Sequence, residues 1–153
     1  MRLECRSLIA CPVDRLRSEL ERPALFHFVT APMLSFLPLH PTNFPDPWRP
    51  GTYRTRLLLG GRLSIGEHTI DLQPGGTGDV VWHDAGYSDL IALWDHTIVL
   101  EEVHGMTRYR DLVEIRAGLL TVPAWLFARV FYTHRQRRLT RLVAAGFNYA
   151  QLG

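Results

Sequence analysis

The chain has 153 residues, of which 46% are apolar and 21% are charged, and its formal net charge is +2 at neutral pH. This length suits a single domain over 1–153, which would bury about 70% of the surface that its unfolded chain exposes. The composition is that of an ordinary globular protein, and the small net charge excludes the strong positive field that attracts nucleic acid. We therefore expect one globular domain with no nucleic-acid partner.

The two cysteines and the longest apolar segment bear on the cellular compartment. Cys5 and Cys11 are the only cysteines, and in an extended segment they would lie about 20 Å apart, too far for a disulfide. Free thiols are typical of a reducing compartment. The longest weakly charged run, 117–128, spans about twelve residues and is too short to cross a bilayer. The sequence therefore predicts a cytoplasmic protein without stable membrane insertion.

The N-terminal part of the chain predicts one strand and two short helices. Apolar and polar side chains alternate through residues 2–10, as expected for a half-buried strand. Pro12 fits the first position of a helix, so the segment from Pro12 to Glu21 is predicted to be a short, solvated helix. Pro23 begins a second short helix, which ends before Pro32. The two helices therefore follow each other directly.

From Leu34 onward the apolar pattern changes to a period of two, interrupted by turn residues. Six strands are predicted, at 34–39, 52–59, 62–72, 79–87, 90–102 and 106–116. A glycine-rich turn at 74–78 joins the third and fourth of them, and a tight turn at His104-Gly105 joins the last two. Strands and helices do not alternate here, so a parallel sheet is disfavoured. Gly118 ends the sheet.

A single long helix, predicted over 119–145, completes the chain. Apolar residues recur at intervals of three and four in its first half, and Pro123 lies early enough that its missing N–H costs little. Beyond His134 the apolar pattern thins among arginines. We therefore expect the first half of the helix to be buried and the second half to be partly solvated. The predicted apolar stripe comprises Leu119, Leu120, Pro123, Leu126, Phe127, Val130, Phe131 and His134.

These elements predict an α+β fold in which an antiparallel, seven-stranded sheet curves around the long C-terminal helix. This arrangement hides the apolar face of every predicted element. A strongly curved sheet leaves volume that one helix does not fill. We therefore expect an internal pocket that is apolar with a few polar groups.

Several segments resemble the START-like helix-grip superfamily, also called SRPBCC, which includes birch-pollen-allergen-like proteins and polyketide cyclases. The segments that carry the resemblance are Ala10-Cys11-Pro12-Val13, Pro47-Trp48-Arg49-Pro50-Gly51, Gly66-Glu67-His68-Thr69-Ile70, Trp94-Asp95-His96, the run 109–121 and the run 131–138. The most telling part is the strand 109–116, which leads through Gly118 into the last helix. The resemblance covers nearly the whole chain and implies a helix-grip fold with a cavity for an apolar ligand. The superfamily has no universal catalytic signature, so the resemblance leaves the function open.

The last two predicted strands bring a histidine and an aspartate together. His96 shares a face with Trp94 and Ile98, and on the next strand Asp111 shares a face with Tyr109 and Val113. The tight turn between the strands makes His96 and Asp111 cross-strand or diagonal neighbours. In one interpretation Asp111 orients His96 as a general base or as a hydrogen-bond donor to a ligand. In the other, the two form a buried polar pair that only fixes the strand register.

The remaining candidate cavity residues come from other predicted strands and from the last helix. Aromatic residues that carry a polar group can line such a cavity or pack in the core, and the pattern leaves both open. No histidine lies at metal-ligand spacing from carboxylates or cysteines, so we expect no metal site and no cofactor. The full predicted lining is Tyr53, His68, Trp94, His96, Ile98, Tyr109, Asp111, Val113, Leu120, Pro123, Phe127 and Phe131.

Three functions are compatible with these observations. The first is a binding or carrier domain for an apolar small molecule such as a lipid, an aromatic polyketide or an isoprenoid. The second is a polyketide cyclase-like or dehydratase-like enzyme that uses His96 and Asp111 as acid and base. The third is a protein-interaction module that docks through its arginine-rich helix end, whose charges also complement the helix dipole. In each case we expect a monomer or a weak homodimer. The arginines of the helix end are Arg135, Arg137, Arg138 and Arg141.

Overall fold

The computed structural model describes residues 1–76 and 79–152. Strand β1 is followed by two short helices, α1 and α2, then by six more strands and the long helix α3, so the predicted element order is confirmed. The turn predicted between the third and fourth strands of the second group includes Thr77 and Gly78, which lie outside the described residues. The bounds are β1 Arg2–Ile9, α1 Val13–Leu20, α2 Pro23–Thr30, β2 Leu34–His40, β3 Gly51–Leu59, β4 Leu63–Pro74, β5 Val80–Gly86, β6 Leu93–Val103, β7 Met106–Arg116 and α3 Thr121–Ala144.

The seven strands form one antiparallel sheet in the order β1-β7-β6-β5-β4-β3-β2. The first and last strands along the chain, β1 and β7, are neighbours in the sheet. In this pair Leu3 lies opposite Val113 and Ile9 lies opposite Thr107. Helix α3 packs against β1 and β7 at this end of the sheet and against α2. A cavity lies between α3 and the inner face of the sheet, and residues of β2 to β6 line it.

The turn from β7 into α3 shows why the helix begins where it does. Gly118 has a φ of +54°, a left-handed conformation that favours glycine. One turn of 3₁₀ helix, Gly118–Leu120, precedes α3. The Thr121 hydroxyl accepts a hydrogen bond from Ala117 N at 2.9 Å and donates one to the Gly118 carbonyl at 2.8 Å. These contacts shift the start of the regular helix from the predicted residue 119 to Thr121.

The predicted orientation of α3 is wrong, because much of the apolar stripe of its first half faces outward. Leu119 is fully exposed, and Leu120, Leu126 and Val130 are exposed as well. Three buried side chains lie in the first half of the helix and four lie in the second half, which was expected to be partly solvated. The first half is apolar on nearly all sides, so its periodicity did not define which face packs inward. The buried positions are Ala128, Phe131, Tyr132, Arg135, Gln136, Leu139 and Leu142.

Cys5 and Cys11 are free thiols, and Cys11 is buried. Within the described ranges, no helix is both long and apolar enough to cross a membrane.

Candidate functional site

A cavity of about 380 Å³ lies between α3 and the inner face of the sheet. Alternate residues of β2, β4 and β6 point into it, as the two-residue period of a strand requires, and α3 contributes Ala124, Phe127 and Phe131. Most of the wall is apolar, which makes the cavity favourable for an apolar molecule. Apolar wall residues from the strands include Leu34, Phe36, Ile70, Leu72 and Ile98.

Apart from Ser88, which lies between β5 and β6, the charged and hydroxyl or imidazole side chains of the wall come from β4, β5, β6 and α3. His68 comes from β4, Asp84 from β5, His96 from β6, and Tyr132 and Arg135 from α3. Asp84 and His96 are directly opposite each other in the β5–β6 ladder, and the rings of His96 and Tyr132 lie 4.8 Å apart. Charged and hydrogen-bonding groups therefore lie together on one part of a wall that is otherwise mostly apolar. We call Asp84, His96, Tyr132 and Arg135 the polar cluster.

Behind His96, a buried carboxylate is surrounded by hydrogen-bond donors. His96 Nε2 lies 2.7 Å from Asp111 Oδ1, which also accepts a hydrogen bond from the Tyr109 hydroxyl at 2.9 Å. Asp111 Oδ2 accepts a hydrogen bond from Gln136 Nε2 at 2.8 Å, and Ser7 donates to Gln136 Oε1 at 2.6 Å. His96 and Asp111 are diagonal neighbours, since His96 pairs with Val113 and Asp111 pairs with Ile98. The network ties β1, β6, β7 and α3 together.

The two members of this pair have defined charge states at neutral pH. Burial by itself would raise the pKa of Asp111, but the hydrogen bond from His96 and the charge of Arg135 hold that pKa below its usual value. Burial lowers the pKa of His96 and outweighs the attraction of Asp111. Asp111 is therefore a carboxylate and His96 is neutral. Because Nε2 donates to Asp111, we assign the lone pair of His96 to Nδ1.

Arg135 is a buried cation on the wall of the cavity. Only 7% of the residue is exposed, and its guanidinium lies 5.0 Å from the centre of the Tyr132 ring. Its Nε is buried and has no hydrogen-bond partner among the described residues. Burial opposes its positive charge, but Asp111, together with Tyr109 and Tyr132, more than offsets this and raises the pKa of Arg135. Arg135 is therefore charged, and its Nε–H is not hydrogen-bonded to any described residue.

The other polar wall residues are also perturbed by burial. Burial raises the pKa of Asp84 to about 7, although its Oδ1 accepts a hydrogen bond from Asp71 N at 3.0 Å. Burial lowers the pKa of His68 to about 4 and raises that of Tyr132. The Tyr132 hydroxyl accepts a hydrogen bond from Trp94 Nε1 at 2.9 Å. At neutral pH His68 is thus uncharged, and Asp84 is near its midpoint of titration.

The structure brings part of the predicted lining together in the cavity wall. His68, Trp94, His96, Ile98, Phe127 and Phe131 line the cavity. The buried Tyr109, Asp111 and Val113 lie behind the wall rather than on it.

The other predicted lining residues lie away from the cavity. Leu120 and Pro123 are exposed at the start of the helix region, for the same reason that the predicted helix orientation is wrong. Tyr53 packs against Trp48, with ring centres 5.2 Å apart, and donates to the Arg49 carbonyl at 2.6 Å. The Tyr53 hydroxyl is therefore hydrogen-bonded within the core and does not face the cavity.

Sequence reasoning missed Asp84, Tyr132 and Arg135. Asp84 alternates with His83 in a predicted strand and shares the face of Trp82, so the period of two already indicated that it points inward. Arg135 follows Phe131 by one helical turn and was grouped with the exposed arginines. Its inward position could have been inferred by extending the stripe from Phe131 through Arg135.

The arginine-rich helix end does not form one uniform surface. Arg135 faces the cavity, whereas Arg138 lies 4.0 Å from the centre of the Phe28 ring and donates from Nε to the Phe28 carbonyl at 2.8 Å. Arg137 and Arg141 are exposed. Two of the four arginines are therefore engaged within the domain. As for metal ligands, no group of three or more His, Cys, Asp or Glu side chains with suitable placement occurs in 1–76 or 79–152.

Comparison with known proteins identifies the fold. No protein-family model and no curated protein matches the sequence. A START superfamily protein from Mycobacterium smegmatis is 12% identical with a TM-score of 0.64, over 94% of this chain and 97% of that chain. The AHSA1 protein from Silicibacter pomeroyi is 15% identical with a TM-score of 0.62, over 95% and 99%. A protein from Nitrosomonas europaea is 14% identical with a TM-score of 0.68, over 95% and 96%.

These identities are low, but the similarity extends over almost the whole length of each chain. It agrees with the seven-stranded antiparallel sheet and the long C-terminal helix. The chain has the START-like helix-grip fold that the sequence predicted.

Proposed function

We propose that this protein binds or carries an apolar small molecule inside the cavity between α3 and the sheet. The observation that supports this proposal is a cavity of about 380 Å³ whose wall is mostly apolar. A volume of this size falls at the lower end of the range for small-molecule sites. Transfer of apolar surface from water to such a wall is favourable by about 25 cal/mol per Å². A lipid, an aromatic polyketide or an isoprenoid has the chemistry that this wall accepts.

Filling the cavity is expected to weaken binding of an apolar probe. Ala124 lines the cavity on α3, so in Ala124→Trp the indole would occupy part of the probe's volume. We expect the affinity for the neutral dye N-phenyl-1-naphthylamine to fall about tenfold or more, which corresponds to about 1.4 kcal/mol. The measurement is a fluorescence titration of the purified variant and of the wild-type protein.

Ala144→Trp is the matched control, because Ala144 is an exposed residue of the same helix. It should bind the dye as the wild-type protein does. Thermal unfolding followed by circular dichroism checks that both variants are folded. Equal loss in both variants, or no loss in folded Ala124→Trp, would contradict a ligand site in this cavity.

The polar cluster favours a second candidate function, proton abstraction next to a carbonyl group, as in a cyclase-like or dehydratase-like enzyme. His96 is neutral, lines the cavity and is held through Nε2 by Asp111. Its Nδ1 would take the proton from the carbon, and the electron pair of the broken C–H bond would form an enolate. A hydrogen bond from Arg135 would stabilise the enolate oxygen.

Exchange of hydrogen for deuterium in phenylacetone tests this second function. We expect wild-type protein in D₂O to accelerate exchange at the activated carbon, and His96→Gln to lose most of that acceleration, about 100-fold. His83→Gln is the matched control, because His83 Nε2 also lies 2.7 Å from a carboxylate, that of Asp95, but outside the cavity wall. NMR spectroscopy measures the exchange. A wild-type rate equal to that of buffer would exclude this activity for the probe.

A further inference from the structure

We propose that the ligand carries a carboxylate, and that this carboxylate binds at Arg135 and Tyr132 while its apolar body fills the rest of the cavity. The inference rests on the proposed function and specifies the chemical class of the ligand: an apolar carboxylic acid with a single head group. It assigns a head-binding role to two residues of the polar cluster.

Arg135 is a buried cation on the wall of the cavity. Placing a guanidinium on the wall of an apolar cavity costs desolvation energy unless its N–H groups find acceptors. Its buried Nε finds none in the described part of the chain, and no carboxylate oxygen within those ranges lies at salt-bridge distance. The planar guanidinium presents N–H groups in a fork that matches a carboxylate. The wall of the cavity therefore contains a guanidinium whose Nε–H has no acceptor in the described part of the chain.

Tyr132 supplies a second donor beside the first. Its hydroxyl oxygen already accepts a hydrogen bond from Trp94 Nε1, so its own proton is available for donation. Tyr132 lines the cavity and stacks under the Arg135 guanidinium. Together, Arg135 and Tyr132 offer donors to an anionic oxygen at one place on the wall. The remaining wall is mostly apolar and accepts a hydrocarbon body.

Asp84 makes the site sensitive to protonation. The groups that face or adjoin it are Asp71 from β4, His96 from β6, Arg135 and Tyr132 from α3, and His83 from its own strand. Below its raised pKa of about 7, Asp84 is neutral and can donate a hydrogen bond to a bound carboxylate. Above it, the carboxylate of Asp84 repels the ligand. Binding of an acid is therefore expected to weaken as the pH rises.

Displacement of N-phenyl-1-naphthylamine by octanoate, methyl octanoate and octanol tests the inference on wild-type protein. The three competitors share their chain and differ in the head group. We expect octanoate to bind about tenfold more tightly than methyl octanoate at pH 6, in line with a charge-assisted hydrogen bond. This preference should shrink at pH 8. The octanoate stays ionised at both values, so the change reports on the protein.

Arg135→Met is expected to abolish the preference for the acid, because methionine fills similar space without charge or donors. Arg137→Met is the matched control: Arg137 is an exposed arginine of the same helix, and its removal should leave the preference unchanged. Tyr132→Phe removes the second donor and is expected to reduce the preference for the acid. This variant tests the inference if Arg135→Met does not fold.

The outcomes separate the inference from the function on which it rests. If the dye binds in the cavity but octanoate displaces it no better than the ester does, the carboxylate assignment is overturned and the carrier function stands. The carboxylate assignment is likewise overturned if none of the three competitors displaces the dye, or if Arg137→Met loses the preference as fully as Arg135→Met does. If the dye itself does not bind, the proposed function fails.

Discussion

Replacement of Asp111 with alanine is expected to lower the free energy of unfolding by about 3–5 kcal/mol. The substitution leaves the donors of His96, Tyr109 and Gln136 without their shared buried acceptor. It also removes the negative charge that stabilises the buried cation of Arg135. Unsatisfied buried donors each cost about 1–3 kcal/mol, and they share one site, so their costs do not simply add.

Urea unfolding measures the free energy of unfolding of Asp111→Ala, with Glu114→Ala as the control. Glu114 lies on the same strand but is solvent-accessible, and its partners Arg2 and Arg116 are exposed. We expect its replacement to have a much smaller effect than that of Asp111. The ionised Asp111 contributes its full stability above the unfolded-state pKa of 3.8. This stability is lost as the pH falls through the lower pKa that Asp111 has in the folded protein. Similar losses in both variants would contradict the network described for Asp111.

The fold could be predicted because local signals agreed with one another along the chain. The strands alternate in polarity, and the turn at His104-Gly105 fixes the pairing of β6 with β7. That turn placed His96 and Asp111 on one face as cross-strand or diagonal neighbours, and the structure shows the diagonal arrangement. A contact fifteen residues apart in sequence was thus accessible from periodicity and one turn.

The polar cluster could not be assembled in the same way, because its members meet only through tertiary packing. Sequence reasoning assigns an arginine in an arginine-rich segment to solvent. The negative charge of Asp111 stabilises the buried Arg135, but the sequence does not show that the two residues lie near each other. The orientation of α3 decides which side chains reach the cavity. Leu126 and Val130 are as apolar as Phe131, yet they are exposed while Phe131 is buried. Hydrophobicity alone does not distinguish these positions.

Replacement of Asp84 with asparagine is expected to stabilise the protein above pH 7. The folded pKa of Asp84 is raised from 3.8 to about 7, so the folded protein binds more protons than the unfolded chain between these values, and wild-type stability falls as the pH rises through them. A difference of this size corresponds to about 4 kcal/mol. Water that enters the cavity solvates the carboxylate and makes this energy difference smaller. We therefore expect a gain in the free energy of unfolding on the order of 2 kcal/mol. Asparagine keeps an acceptor for Asp71 N.

Urea unfolding at pH 5 and pH 8 resolves this effect, with Asp89→Asn as the control because Asp89 is exposed. The gain of Asp84→Asn over the wild-type protein should be larger at pH 8 than at pH 5, where the folded Asp84 is still protonated and only part of the wild-type loss has accrued. An equal gain at both pH values would contradict the raised pKa. The same protonation is proposed to govern octanoate binding. Asp84→Asn should therefore bind octanoate equally well at pH 6 and pH 8, since the amide neither repels the ligand nor titrates.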